Sequence, residues 1–190
     1  MTDAALVERA RAGDAEAFGE LVDRHRDAVF RAALAALRDQ ANADDAAQDA
    51  FLLAYRRLST FRGESSFRTW ILSIAWRTAL DRRRSWRRWW DRVAVGPAGS
   101  RDAAMPAIAA ADPTPEAALA GAELAAHVER LLGALPARLR DPLLLLATGD
   151  HGYEEMSALL GVPVGTLKWR VSEARRLLKA RLAALGYERD

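Results

Sequence analysis

The sequence predicts an all-α protein made of two helical modules joined by a flexible linker. Apolar residues recur through most of both halves at the three- and four-residue spacing of amphipathic helices, and no useful stretch shows the alternation of a strand. Between residues 93 and 115 this pattern gives way to small residues with proline and glycine, a composition typical of linkers. We therefore expect one module at 1–92 and a second at 116–190.

Composition narrows the class of protein. The 190 residues are 51% hydrophobic and 28% charged, which suits a soluble protein with a buried core. No apolar run approaches the roughly 18 residues of a membrane span, and the first residues lack the basic-then-apolar pattern of a signal peptide. Cysteine is absent, which excludes disulfides, thiolate metal sites and a thiol nucleophile. We expect a cytoplasmic protein without membrane insertion.

The net charge of +2 conceals an uneven distribution. Seven arginines lie in the segment from Arg77 to Arg92, against two acids. Six basic residues lie in 166–182, against Glu173 alone. Two basic stripes on a nearly neutral chain indicate two contacts with a polyanion, and solvated helix surface is the alternative.

The first module divides into helices at polar breaks. Asp14 follows a glycine and is placed to cap the second helix. A break at 39–42 precedes a third helix, for which we expect Asn42 as the cap. Asp44 and Asp45 would then lie in its first turn, where the helix dipole favours acids. The predicted buried stripe of this helix consists of Ala47, Phe51, Ala54, Tyr55 and Leu58.

A polar turn at 59–66 leads into a long helix that begins near Phe67 and runs into the arginines. Trp70, Ile71 and Ile74 follow at helical spacing, which favours burial. We therefore expect Phe67 and Trp70 in the core rather than as stacking platforms for bases.

The second module carries a helix-turn-helix pattern. Residues 153–161 predict a short helix closed by glycine, and residues 162–166 predict the turn. The next helix buries a stripe at positions i, i+4, i+7 and i+11, namely Leu167, Val171, Ala174 and Leu178. Its remaining faces carry side chains suited to a DNA major groove, namely Lys168, Trp169, Ser172, Arg175, Arg176 and Lys179. An ordinary helical hairpin with a basic outer face is the alternative.

Two blocks of sequence resemble bacterial sigma factors of RNA polymerase. DDAAQDAF at 44–51 and FRGESSFRTWI at 61–71 are similar to region two of that family. LPARLR at 135–140, YEE at 153–155 and GVPVGTLK at 161–168 are similar to region four. The size, and a linker in place of a full middle domain, match the extracytoplasmic-function group.

The resemblance implies binding to core RNA polymerase, at its beta-prime clamp and beta flap, and control by an anti-sigma factor. In the family, an acidic helix of region two docks on a coiled coil of the clamp through aimed polar groups around an apolar centre. The matching positions here are Asp45, Gln48, Asp49, Phe51 and Arg56.

The resemblance also implies two contacts with promoter DNA. In the family, the turn before the long helix of region two receives bases pulled from the non-template strand, and the long helix follows the minus-ten element. The matching residues are Ser59, Phe61, Arg62, Ser65, Arg68, Arg77, Asp81, Arg82 and Arg83. The second helix of the helix-turn-helix reads the minus-thirty-five element, through Thr166, Lys168, Trp169, Arg170, Ser172, Glu173 and Arg176.

The sequence departs from the family pattern at three of these positions. Arg77 replaces a common asparagine and lacks an amide's paired donor and acceptor, so it either alters the minus-ten preference or only holds phosphate. Glu173 replaces a common arginine, and either accepts from a cytosine amino group or pairs with Arg170 or Arg176. Trp169 either touches thymine methyl groups or packs against the preceding helix.

Two further features lie outside the family pattern. Pro142 removes a backbone donor inside a predicted helix, so we expect that helix to kink or to start late with Asp141 as its cap. The cluster of Trp86, Trp89 and Trp90 either packs against the second module or forms a partner surface.

We predict a transcription initiation factor in which tethering raises the effective concentration of the second DNA contact. The acids of its linker, Asp102 and Asp112, either imitate nucleic-acid charge or belong to a solvated tether. A stand-alone helix-turn-helix regulator is the alternative function, but it would not need the region-two block. An enzyme lacks support, because His25, His127 and His151 are scattered and no phosphate loop, metal motif or nucleophile setting is present. We expect no catalytic residue, metal or cofactor, and a structural role for His25.

Overall fold

A computed structural model of the chain describes residues 1–93, 115–149 and 151–187, without the side chains of 87–120 and 122. These residues form eight α-helices and no strand, which confirms the predicted all-α class. The helices are α1 (Asp3–Arg11), α2 (Ala15–Leu37), α3 (Gln40–Arg57), α4 (Phe67–Val93), α5 (Pro115–Gly133), α6 (Ala137–Ala147), α7 (Tyr153–Leu160) and α8 (Val164–Ala183). Asp102, Asp112 and the side chains of Trp89 and Trp90 lie outside the described residues.

The first module, α1–α4, packs around α2. Asp14 caps α2 as predicted, since its side chain accepts from the Ala17 amide at 3.1 Å. The faces of α2 and α3 that meet are largely alanine, which lets the helices approach closely. Trp76 of α4 is 2% exposed and belongs to the same buried cluster. The module is therefore a compact support for the loop between α3 and α4.

The start and inner face of α3 differ from prediction. Asp39 is the cap, accepting from the Asn42 amide at 2.8 Å, so Asn42 lies inside the first turn. Asp44 and Asp45 consequently lie beyond that turn and are exposed. The reason is that α2 ends in a left-handed residue, which brings the chain to extended geometry already at Asp39. Tyr55 was predicted buried but is 47% exposed, with its ring edge-to-face against Phe18.

The second module, α5–α8, contains the predicted helix-turn-helix. Gly161 ends α7 in the left-handed conformation, where a side chain is unfavourable. The helix α8 begins at Val164, so the turn is shorter than predicted. Pro142 neither delays nor splits α6, which starts at Ala137 and accommodates the proline as a buried interior residue. The expected cap Asp141 instead points at the first module.

The two modules share one apolar core. Leu145, Met156, Leu159 and Leu167 belong to the same buried cluster as the core of α1–α4. Contacts run from α4 to α7 and from α2 to α6. Within the described ranges, no helix is both long and apolar enough to cross a membrane.

Candidate functional site

The loop between α3 and α4 borders an open pocket of about 690 Å³. Its polar and aromatic lining includes Arg11, Tyr55, Arg56, Ser59, Phe61 and Arg62. Three of these residues are arginines, and they come from α1, α3 and the loop. A concave surface that combines guanidinium groups with aromatic faces suits a nucleotide, since the cations attract phosphate and the rings stack on bases.

Local hydrogen bonds fix the shape of this loop. A 3-10 turn at Leu58–Thr60 follows α3, and the Phe61 amide donates to the Leu58 carbonyl at 3.2 Å. Arg11 reaches the same carbonyl from α1, with its Nε 3.3 Å away. At the far end, the Ser66 hydroxyl accepts from the Thr69 amide at 3.0 Å and so caps α4. The loop is thus held at both ends.

An aromatic cluster lies beneath the loop. Phe61 and Phe67 are buried and Trp70 is partly buried, with ring centroids 5.1–6.0 Å apart. Phe67 therefore lies in the core, as predicted. The His25 ring is tilted against that of Phe67, with centroids 5.5 Å apart, and its Nε2 lies 2.7 Å from Asp3 Oδ2, contacts that suit the predicted structural role of this histidine.

The basic side chains of α4 point in different directions. Arg77 and Asp81 are exposed. Arg82 turns toward α3, where it lies 2.5 Å from Asp49 Oδ2 and 3.4 Å from Asp45 Oδ2. The hydrogen bond to Asp49 raises the pKa of Arg82 above its ordinary value. The other two predicted contacts on this face, Arg68 and Arg83, turn toward the second module, whereas Ser59, Arg62 and Ser65 are exposed on the loop.

The outer face of α3 carries the predicted protein-binding residues. Asp45, Gln48 and Asp49 are exposed, and Phe51 is partly buried at the rim of a groove between α2 and α3. Leu52 lies next to them with 58% of its surface exposed, and periodicity did not single it out. A polar set around apolar side chains is typical of a protein interface. Arg56 instead lines the pocket at the loop.

The helix α8 presents its predicted DNA-facing side chains to solvent. Leu167, Val171 and Ala174 are buried and Leu178 is partly buried, which confirms the predicted stripe. Thr166, Lys168, Trp169 and Ser172 are exposed on the first turns, with Trp169 at 60%, while Arg170 is partly buried.

Glu173 is held by a neighbour on the same helix. Both of its oxygens accept from Arg176, at 2.7 and 2.8 Å. This hydrogen bonding lowers the pKa of Glu173 and raises that of Arg176. The pair with Arg176, and not one with Arg170, is therefore the intramolecular arrangement.

Comparison of the sequence with known protein families and relatives identifies the family of this chain. Residues 21–89 match Sigma-70 region 2, and residues 126–178 match Sigma-70 region 4. The RNA polymerase sigma-H factor of Pseudomonas aeruginosa is 34% identical, over 96% of this chain and 95% of the relative. The ECF RNA polymerase sigma-E factor of Escherichia coli K12 is 32% identical, over 97% of this chain and 96% of the relative. The chain belongs to the extracytoplasmic-function sigma factors.

Solved sigma factors share the fold. CnrH, in complex with the cytosolic domain of CnrY, matches with a TM-score of 0.67 and 27% identity, over 96% of this chain and 97% of that one. The sigma factor RpoE of Bartonella quintana, in complex with the anti-sigma factor NepR, matches with a TM-score of 0.63 and 20% identity, over 90% and 98%. The first module of this sigma factor thus carries region 2 and the second carries region 4. As a sigma factor it is a transcription initiation factor, which binds core RNA polymerase and directs it to promoters.

Several residues of the site gave no signal in the sequence. Arg11 and Leu58 are 47 positions apart, so nothing local links the N-terminal helix to the loop pocket. Ser66 is one of two adjacent serines, either of which could cap α4 by composition. Among the described residues, no group of three histidine, aspartate or glutamate side chains is arranged to hold a metal ion.

Proposed function

We propose that the loop pocket of region 2 receives a base of the non-template minus-ten strand, with Arg11, Arg56 and Arg62 around its phosphate. The supporting observation is the convergence of three arginines from three separate elements on one open pocket. Extruding a base costs stacking free energy, which contacts to the base and the phosphate offset. Ser59 and Ser65 supply exposed hydroxyl groups nearby, while Phe61 supports the pocket floor. The exposed face of α4, with Arg77 and Asp81, continues the surface, and Arg68, Arg82 and Arg83 join it when their present partners release them.

We propose that α8 reads the minus-thirty-five element. The exposed side chains of its first turns have the length and chemistry for base edges and phosphates. Thr166, Lys168, Trp169 and Ser172 would face the groove, and Arg170, Glu173 and Arg176 would lie beside it. The pairing with Arg176 occupies both oxygens of Glu173, which disfavours base reading by Glu173.

We propose that α3 docks on the polymerase clamp through Asp45, Gln48, Asp49, Phe51 and Arg56, while region 4 meets the beta flap. The exposed Leu52 supplies an apolar centre for the first contact. We assign polymerase and minus-ten functions to 1–92, the tether to 93–115, and the minus-thirty-five function to 116–190. Because solved structures of similar sigma factors are complexes with inhibitors, we also propose control by an anti-sigma factor, in the cytoplasm.

Run-off transcription with purified core polymerase tests the whole assignment. We expect transcripts from a defined promoter only when this chain is added. Alanine at Arg62 should reduce open-complex formation, followed by 2-aminopurine fluorescence in the non-template strand, without reducing polymerase binding. Alanine at Arg9, on α1 but outside the pocket, is the matched control. A chain that ignores polymerase yet occupies a palindromic operator alone would instead be a stand-alone regulator.

A further inference from the structure

Region 4 contacts α4, the helix that we assign to the minus-ten element, through a bidentate ion pair. Arg83 Nη2 lies 3.0 Å from Asp141 Oδ2, and Arg83 Nη1 lies 3.3 Å from Asp141 Oδ1. The two side chains are 21% and 13% exposed. Arg83 Nη1 also donates to the Ala36 carbonyl at 3.1 Å, so the guanidinium is fixed between α2 and α6. A fork of this kind has the geometry with which arginine holds phosphate.

A second carboxylate of region 4, that of Glu155, contacts the first turn of α4. Glu155 Oε1 accepts from the Thr69 hydroxyl at 3.1 Å and lies 3.7 Å from Arg68 Nε. Its other oxygen lies 3.5 Å from Nδ1 of His151, whose side chain is fully buried. Glu155 is thus held from both modules, at the first turn of α4.

A third contact involves an unusual backbone conformation. Arg38 ends α2 at φ 58°, in the left-handed region that helices usually fill with glycine. Its Nη1 donates to the Glu129 carbonyl at 3.2 Å, and its Nη2 lies 3.4 Å from Glu129 Oε1. The two side chains are 18% and 8% exposed. The contact with α5 offsets the strain of an arginine at this position.

These contacts have a consequence for DNA binding. Arg68 and Arg83 are two of the cations that we assign to the minus-ten strand, and each faces a carboxylate of region 4. One guanidinium fork cannot hold a carboxylate and a phosphate in the same place. Region 4 therefore has to leave this face of α4 before DNA can reach both arginines.

We propose that Asp141 and Glu155 occupy the place of promoter phosphates on Arg68 and Arg83, so that region 4 and the minus-ten strand compete for one surface. The competition with DNA rests on the proposed function, whereas the closed arrangement of the modules does not. Opening of the modules is then a required step between the free chain and its promoter complex, and the free chain binds the minus-ten strand weakly.

The test uses the full chain with D141N and E155Q combined, which removes both charges and keeps side-chain volume. Because the sequence has no cysteine, E16C and A180C introduce a pair of dye sites on exposed positions of α2 and α8. We expect the double variant to lower energy transfer between the dyes and to raise affinity for a single-stranded minus-ten oligonucleotide several-fold. E154Q, which removes an exposed charge from the same helix α7, should change neither.

A second variant keeps the proposal testable if the double variant fails to fold. R38G removes the contact with Glu129 and relaxes the left-handed backbone, so the modules should open while α1–α4 stays folded. Unchanged energy transfer in both the double variant and R38G would overturn the closing role of these contacts. Opening without a gain in oligonucleotide affinity would overturn the competition. Full minus-ten binding by R68A and R83A in the holoenzyme would instead overturn the part of the proposed function that assigns these two arginines to the minus-ten strand, while the dye measurement would still report the closed arrangement.

Discussion

Arg82 of α4 lies 2.5 Å from Asp49 of α3, and 3.4 Å from Asp45 one turn earlier. This bond joins the helix that we assign to the minus-ten element with the acids that we assign to polymerase. A clamp residue that engages Asp49 would loosen Arg82 and add a cation to the DNA-facing side of α4. If both assignments hold, polymerase binding and DNA binding are connected through the side chain of Arg82.

D49N separates the proposed polymerase contact of Asp49 from its hydrogen bond with Arg82. We expect polymerase affinity to fall by at least about 1 kcal/mol, or roughly fivefold, because an aimed interface charge is lost. Thermodynamic stability should change by less than about 1 kcal/mol, since exposed ion pairs contribute little. Competition for core polymerase and urea unfolding measure the two effects. The control is D23N, at an exposed position of α2. Equal polymerase affinity for D49N and D23N would contradict the assignment of Asp49.

Arg11 tests the pocket. Alanine at this position removes a cation and the hydrogen bond to the Leu58 carbonyl. We expect weaker binding of a single-stranded minus-ten oligonucleotide by the holoenzyme. The slope of log affinity against log salt should also become shallower by about 0.7 if one phosphate contact is lost. Lysine at position 11 should restore most of the slope, and alanine at Arg9 should leave it intact. A purely structural role for Arg11 would lower affinity without changing the slope.

Glu173 tests how α8 reads DNA. Both of its oxygens are taken by Arg176, so we expect alanine at this position to release Arg176 and raise affinity for duplex DNA of any sequence. The preferred minus-thirty-five sequence should stay the same when promoters are re-selected with the variant holoenzyme. A changed preference at a single base pair would show that Glu173 reads that base.

Asp3 makes the stability of the first module depend on pH. Burial alone would raise the pKa of this carboxyl group, but hydrogen bonds from His25 and Arg24 outweigh it and lower the pKa below 3.8. A carboxylate with a lowered folded-state pKa stabilises the fold above its unfolded value, and that contribution disappears as pH falls through the folded value. Urea unfolding should therefore show Asn at position 3 less stable than the parent near about pH 6, and the difference should shrink toward about pH 3. A difference that does not depend on pH would contradict the role of ionised Asp3.

The sequence pattern predicted the features of the fold that depend on neighbouring residues. The cap at Asp14, the left-handed Gly161 and the buried stripe of α8 each depend on residues within a few positions, and all were readable. The predicted cap Asn42 is wrong, because the left-handed end of α2 brings the chain to extended geometry already at Asp39. Tyr55 fits the helical period of α3, but the period does not show that the core ends before it.

Contacts between distant parts of the chain could not be predicted from the sequence pattern. Besides its neighbour Arg140, Asp141 pairs with a residue 58 positions away, and Glu155 accepts from a residue 86 positions away. The predicted cap at Asp141 depends on Pro142 delaying the helix, but α6 begins at Ala137 and contains both residues. The sites that bind DNA and polymerase were inferred from family motifs, whereas the contacts that cover them follow from how α6 and α7 pack on α2 and α4.

The apolar cluster that crosses from α4 to α7 makes the closed chain one cooperative unit. Its side chains lose their packing partners together, so heating should melt both modules in a single calorimetric transition. A chain that opened on polymerase would have two separate cores of smaller size, each with less buried area and a lower melting temperature of its own. Opening would therefore lower the thermal stability of the chain, and contacts with polymerase and DNA would have to replace the buried area that is lost.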